Sequence, residues 1–204
     1  MPTSVSQAAP YFHGTALLPD GSFGNIKLTN YLRKKSVLLF FYPFDFTFVC
    51  PSEIIAFDRA YEEFQKRDVE VIGCSVDSHH AHAAWSATPI EKGGIGKLQF
   101  PLLSDVSHKI CADYGVLLPE GMALRGMFLI DKNGILQSST INNLFLGRSV
   151  EEAMRMIDAC IHYENYGEVC PANWKKGKKA IIASRDGIST YLKEEYTNGK
   201  VAVQ

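Results

Sequence analysis

Val37-Leu38-Leu39-Phe40-Phe41-Tyr42 constrains this chain more than any other segment: six apolar or aromatic residues in succession, stopped by Pro43. Successive side chains of a strand point to opposite faces. A strand apolar at every position therefore has no wet side and needs cover above and below. The run is far short of the roughly twenty apolar residues that a membrane-spanning helix needs. It belongs in the middle of a layered domain.

The surrounding pattern supplies the layers. Ser52 to Lys66 reads as a helix, because Ile54, Phe57, Tyr61 and Phe64 recur at three- and four-residue spacing. Asp68 to Ser75 reads as a strand, Ser78 to Ala87 and Ser104 to Tyr114 as short helices, and Leu124 to Ile130 as another strong strand. Asp131-Lys132-Asn133-Gly134 is a tight turn, since Asn-Gly accepts positive φ, and Ile135 to Ile141 returns from it. Ser149 and Glu152 form a capping box that opens a helix carrying Val150, Ala153, Met154, Ile157 and Ile161 on one face. Residues 1 to 12 read as an arm. After Gly167 the periodicity fades into a basic tail with a weak helix near Thr190 to Tyr196. Helices alternating with strands, then a hairpin, predict an α/β fold of the thioredoxin type, a central mixed sheet flanked by helices. The expected division is a main domain over 1–165 and a C-terminal extension over 166–204.

Composition narrows the function. The 204 residues are 46% hydrophobic, and 21 basic less 22 acidic residues leave a net charge of −1. That is globular composition with no field to gather nucleic acid or coat an anionic membrane. The first ten residues hold no basic residue and no apolar h-region, so a cytoplasmic location is expected. Five cysteines, an odd number with no Cys-x-x-Cys pair, fit neither a disulfide framework nor a zinc site.

The chemistry concentrates in Tyr42-Pro43-Phe44-Asp45-Phe46-Thr47-Phe48-Val49-Cys50-Pro51-Ser52-Glu53. A buried strand ends at Pro43, and a helix starts about where Cys50 stands, with Pro51 in a first-turn position. Unpaired N–H groups at a helix N-terminus, with a nearby cation, favour thiolate over thiol. Thr47 can bring its hydroxyl to the sulfur or to a substrate oxygen. The plainer reading of Cys50 is a core cysteine that happens to open a helix. Arg125 bears on the choice, for it interrupts a core strand, cannot shed its charge and needs an anion. A thiolate would serve, as would a carboxylate such as Glu53, and both hold together if Glu53 aims Arg125 at the sulfur. Cys170, in Glu168-Val169-Cys170-Pro171-Ala172-Asn173-Trp174, sits past the last strong helix, open to another sulfur or merely spare. Cys74, Cys111 and Cys160 read as core residues. His79, His80 and His82 read as solvated helix-start side chains rather than metal ligands, and Lys175 to Lys179 as a solvated basic run.

Together, Pro43-x-x-x-Thr47-x-x-Cys50, Phe-Thr-Phe-Val-Cys-Pro, Arg125-Gly126 and Glu-Val-Cys170-Pro with Trp174 resemble the typical 2-Cys peroxiredoxins, in the subgroup of the alkyl hydroperoxide reductase C component and thioredoxin peroxidases. The resemblance runs from about Ala9 into the tail. It implies a thiol peroxidase that reduces hydrogen peroxide and organic hydroperoxides, protects against oxidative stress and signals peroxide, with no metal or other cofactor. Cys50 would be the peroxidatic cysteine, passing through a sulfenic acid. Thr47 and Arg125 would bind and polarise the peroxide, Pro43 would shield the sulfur from water, and Glu53 would support Arg125. Cys170 would resolve the sulfenic acid as an intersubunit Cys50–Cys170 disulfide. A thioredoxin-like protein or a flavoprotein disulfide reductase would reduce it, within a homodimer or a decamer. Gly93-Gly94-Ile95-Gly96 and Tyr191-Leu192 resemble the elements that sensitise members to overoxidation, with Leu192 departing from the usual Phe. A redox-switched scaffold or holdase is the competing reading; a general thiol-disulfide exchanger is disfavoured because Cys-x-x-Cys is missing.

Overall fold

The computed structural model describes residues 3–197. Residues 1–2 of the expected arm and 198–204 of the expected extension lie outside the described residues. The chain divides into two compact units, the first ending at Val150 and the second beginning at Glu151.

The first unit holds one seven-stranded sheet: β1 (His13–Leu17), β2 (Phe23–Lys27), β3 (Ser36–Phe41), β4 (Val69–Ser75), β5 (Leu102–Ser104), β6 (Arg125–Ile130) and β7 (Leu136–Asn142), in the order β2-β1-β5-β4-β3-β6-β7. β3 pairs in parallel with β4 and antiparallel with β6, so the sheet is mixed and the apolar run sits inside it. Both of its faces are covered. Val37, Leu39 and Phe41 join Ile72, Cys74, Tyr114 and Phe128 on one side. On the other, Phe40 stacks on Phe57 at 4.7 Å between ring centroids and meets Phe100 edge-on at 5.8 Å. Fully burying side chains of this size stabilises the fold by about 1.5–3 kcal/mol each.

The helices are α1 (Cys50–Arg59), α2 (Tyr61–Gln65), α3 (His79–Ala87), α4 (Lys109–Asp113), α5 (Val150–Tyr166) and α6 (Arg185–Leu192). The single helix expected over 52–66 is two, because Ala60 (φ −94°, ψ 2°) leaves the helical region. Phe57 and Phe64 are seven residues apart and both buried, so the apolar period runs through the break. The helix expected over 104–114 starts only at Lys109. Leu102–Ser104 pairs with β1 and β4 instead, and the Asp105 carboxylate, fully buried, accepts from the Cys111 N–H at 2.7 Å. β1, β2 and β5 have too few residues to show a period in the sequence.

Ser78, read as the start of a short helix, caps α3, accepting from Ala81 N–H at 3.2 Å. Gly134 closes the β6–β7 turn with φ +81°. In the second unit, Val169 and Ile181 exchange backbone hydrogen bonds of 2.9 Å around a loop that carries Cys170. The weak helix foreseen over 190–196 begins earlier, at Arg185, because Ser184 caps it through Gly187 N–H. It ends in a π turn over Lys193–Thr197. No helix among the described residues is long and apolar enough to cross a membrane.

Candidate active site

Pro43, itself buried, ends the β3 run, and six residues of loop carry the chain on to Cys50, the first residue of α1. Cys50 is wholly buried. Thr47 Oγ1 lies 2.9 Å from the Cys50 sulfur and 2.8 Å from the Phe44 carbonyl oxygen. A hydroxyl has one proton. With the sulfur as a thiol, Thr47 donates to Phe44 and accepts S–H; with a thiolate, it turns its proton to the sulfur. One side chain thus serves both protonation states without moving.

Arg125, first residue of β6, donates from Nη1 to the Cys50 sulfur at 3.2 Å and to Glu53 Oε2 at 2.7 Å, and from Nε to the Leu144 carbonyl at 2.7 Å. Its neighbour Gly126 keeps the strand close-packed: a Cβ there would stand 2.7 Å from both Val116 and the Phe128 ring. Glu53, on the first turn of α1, holds a second cation that sequence reasoning missed. Arg148 donates from its backbone N–H and Nε to Glu53 Oε1, each at 2.8 Å, and from Nη2 to Oε2 at 2.9 Å. Its Nη1 donates to the carbonyls of Phe41 and Gly126 at 2.7 and 2.6 Å, and its guanidinium lies over the Phe40 ring. Burial pulls the Arg148 guanidinium below its usual range, opposed by the bonds to Glu53.

Charge accounting explains the arrangement. Two guanidinium groups and one carboxylate are buried together, leaving one positive charge in excess. An uncompensated charge in that setting costs several kcal/mol. The Cys50 sulfur, 3.2 Å from Arg125 and at the positive end of a ten-residue helix, stands where a negative charge would complete the balance. The alternatives left open for Arg125 resolve as both partners at once.

The loop between Pro43 and Cys50 is pinned from behind by residues the sequence did not advertise. Asp45 N–H donates to Asp77 Oδ2 at 2.9 Å, while the Asp45 carboxylate accepts from Tyr42 OH at 2.9 Å and meets His82 Nδ1 at 2.8 Å. Burial raises the Asp45 carboxyl, with the His82 bond opposing. Phe46, between Asp45 and Thr47, adopts φ +56°, strained for a non-glycine residue and held by those contacts. His82 is not the solvated side chain expected: it is fully buried, and its Nε2 has no hydrogen-bond partner among the described residues. His79 and His80 pack edge-on against Phe23.

The remaining cysteines separate by exposure. Cys74 and Cys111 are fully buried, and burial pushes the Cys74 thiol well up. Cys160, expected in the core, is half-buried on α5, as is Cys170 in its loop. Cys170 Sγ donates to the Ala159 carbonyl at 3.7 Å. Burial raises its thiol, partly opposed by Arg155.

A thioredoxin-type sheet that presents a helix-opening cysteine to a hydroxyl and a guanidinium defines a peroxidase working through sulfur. Residues 5–139 match the family model described as AhpC/TSA, and residues 162–194 match that for the C-terminal domain of 1-Cys peroxiredoxin. The chain is 49% identical over 191 residues to alkyl hydroperoxide reductase C of Helicobacter pylori, covering 93% of this chain and 96% of that protein. It is 50% identical over 189 residues to human peroxiredoxin-4, covering 92% and 69%. Its fold matches the reduced 2-Cys peroxiredoxin of Plasmodium vivax with a TM-score of 0.92 at 53% identity, over 94% of this chain and 99% of that one. The chain belongs to the AhpC/TSA family and is a peroxiredoxin of the 2-Cys kind, a thiol peroxidase. That family acts on peroxides with a reductase partner and forms oligomers.

Proposed function

We propose that Cys50 is the peroxidatic sulfur. Its thiolate attacks the terminal oxygen of hydrogen peroxide or an organic hydroperoxide, the O–O bond breaks, and water or the alcohol leaves with a proton from solvent. Cys50 is left as a sulfenic acid. Thr47 and Arg125 hold the two peroxide oxygens, Glu53, itself held by Arg148, holds Arg125, and Pro43 screens the sulfur from water. The observation that carries this reading is the pair of donors at 2.9 and 3.2 Å from one buried sulfur at a helix start.

Cys170 of the partner subunit then attacks the sulfenic sulfur, releasing water and forming the intersubunit disulfide. A thioredoxin-like protein or a flavoprotein reductase returns both thiols. The working form is a homodimer or a decamer of such dimers, in the cytoplasm, with a peroxiredoxin domain over 1–165 and an extension over 166–204 that carries the resolving cysteine. Leu192 in place of Phe makes overoxidation possible but less easy than in the most sensitive members. The test is peroxide consumption with a thioredoxin system in wild type, Cys50→Ser and Cys170→Ser. Both substitutions should stop turnover, while only Cys170→Ser keeps the first reaction with peroxide.

A further inference from the structure

Besides the two cysteines of the proposed cycle, Cys160 alone of the five is not fully buried. It also stands close to the resolving sulfur. The Ala159 carbonyl oxygen, 3.7 Å from Cys170 Sγ, belongs to the peptide bond joining Ala159 to Cys160. In a trans peptide that oxygen lies about 2.8 Å from the next Cα. Cys170 Sγ is therefore within about 6.5 Å of the Cys160 Cα. A disulfide asks for roughly 4 Å between those two atoms, a shift on the order of 2 Å in a loop that leaves α5 through Gly167 at φ +67°. Arg155, one turn before Ala159, places its guanidinium on the Trp174 carbonyl in the same loop at 3.4 Å.

We propose that Cys160 is a third redox residue, a relay thiol that takes over the disulfide from Cys50. The step rests on the Cys50–Cys170 pairing proposed above. Cys160 loses its proton to solvent and attacks Cys170 Sγ in line with the intersubunit bond. The Cys160–Cys170 bond forms, the Cys50–Cys170 bond breaks, and its electron pair leaves on the Cys50 sulfur. No external oxidant or reductant is consumed. Cys50 is the better leaving group because Thr47 and Arg125 stand ready to hold its charge, and exchange is faster toward the sulfur that bears charge more readily. The relay opens the covalent link between subunits, restores the peroxidatic thiolate, and leaves the reductase a disulfide closed within one chain. Cys74 and Cys111 lack the exposure for such a role.

The chain carries its own readout. Cleavage after Arg155 and Lys175 leaves Cys160 and Cys170 on one peptide, Met156–Lys175, and Cys50 on another, Ser36–Arg59. Reduced wild type and Cys160→Ser are mixed with one equivalent of hydrogen peroxide, quenched in acid at intervals, alkylated and mapped by mass spectrometry beside non-reducing gels. In wild type the cross-link between the two peptides forms and then decays. In its place comes a Met156–Lys175 peptide lighter by two hydrogens, with Cys50 alkylatable again and the dimer band lost. In Cys160→Ser the cross-link persists. A wild-type cross-link as durable as that of Cys160→Ser, with no lightened peptide, overturns the relay and leaves the Cys50–Cys170 pairing intact. If Cys160→Ser forms no cross-link at all, the pairing itself fails and the relay falls with it.

Discussion

Arg125 Nη1 is shared between the Cys50 sulfur at 3.2 Å and the Glu53 carboxylate at 2.7 Å. The carboxylate fixes where the guanidinium points, and the guanidinium fixes where negative charge on sulfur is welcome. Substituting Arg125 by Met removes a preorganised donor from the site where charge develops. The rate of the first reaction with peroxide should fall by about 10²-fold or more, measured by single-turnover mixing.

Thr47→Val keeps the shape and deletes the hydroxyl 2.9 Å from the sulfur. The first reaction should slow by roughly 10²-fold while thermal unfolding shifts little, since Thr47 is partly exposed. A rate equal to wild type would remove Thr47 from the site.

Arg148 makes five hydrogen bonds from a side chain and backbone N–H with no exposed side-chain surface. Arg148→Met leaves Glu53 with one guanidinium in place of two and removes the donor that Nη1 gives to the Phe41 and Gly126 carbonyls. Breaking one side of a buried ion pair costs about 3–5 kcal/mol, so the urea midpoint should drop with the m-value unchanged. The first reaction with peroxide should slow as well, because the carboxylate that aims Arg125 is no longer held in place by Arg148.

Cys170 gives the pH dependence. Its thiol is raised, chiefly by burial, so at neutral pH less of it is thiolate than in a free cysteine. The nucleophile in resolution is the thiolate. The rate of disulfide formation after the first reaction, followed by acid quench and non-reducing gels, should rise about tenfold per pH unit from neutrality and level off only above the ordinary thiol value of about 8.5. A plateau already reached at neutral pH would contradict this.

What the sequence made legible follows from range. Cys50, Thr47 and Glu53 share one twelve-residue stretch, and Arg125 interrupts an apolar strand, so local pattern alone raises them. Arg148 gives no such signal: it sits between Gly147 and Ser149 in what reads as a helix approach, and its partners are 95, 107 and 22 residues away in the chain. His82 has the same difficulty. Two neighbouring histidines make it look like a surface cluster, and only the fold brings Asp45, 37 residues away, to its Nδ1. Buried polar residues with distant partners look like surface residues until the sheet is assembled. Cys160 fails in the opposite direction, since apolar neighbours on α5 suggest a burial that the helix's last turns do not provide.

The most direct test mixes reduced protein with stoichiometric hydrogen peroxide and follows Trp85 and Trp174 by stopped flow. Trp85 is buried against Tyr42 and Phe46, so it reports on the strand and loop that lead to Cys50. The account predicts a rapid phase that disappears in Cys50→Ser and a slower phase that disappears in Cys170→Ser. A rapid phase that survives in Cys50→Ser would contradict the assignment of the peroxidatic sulfur.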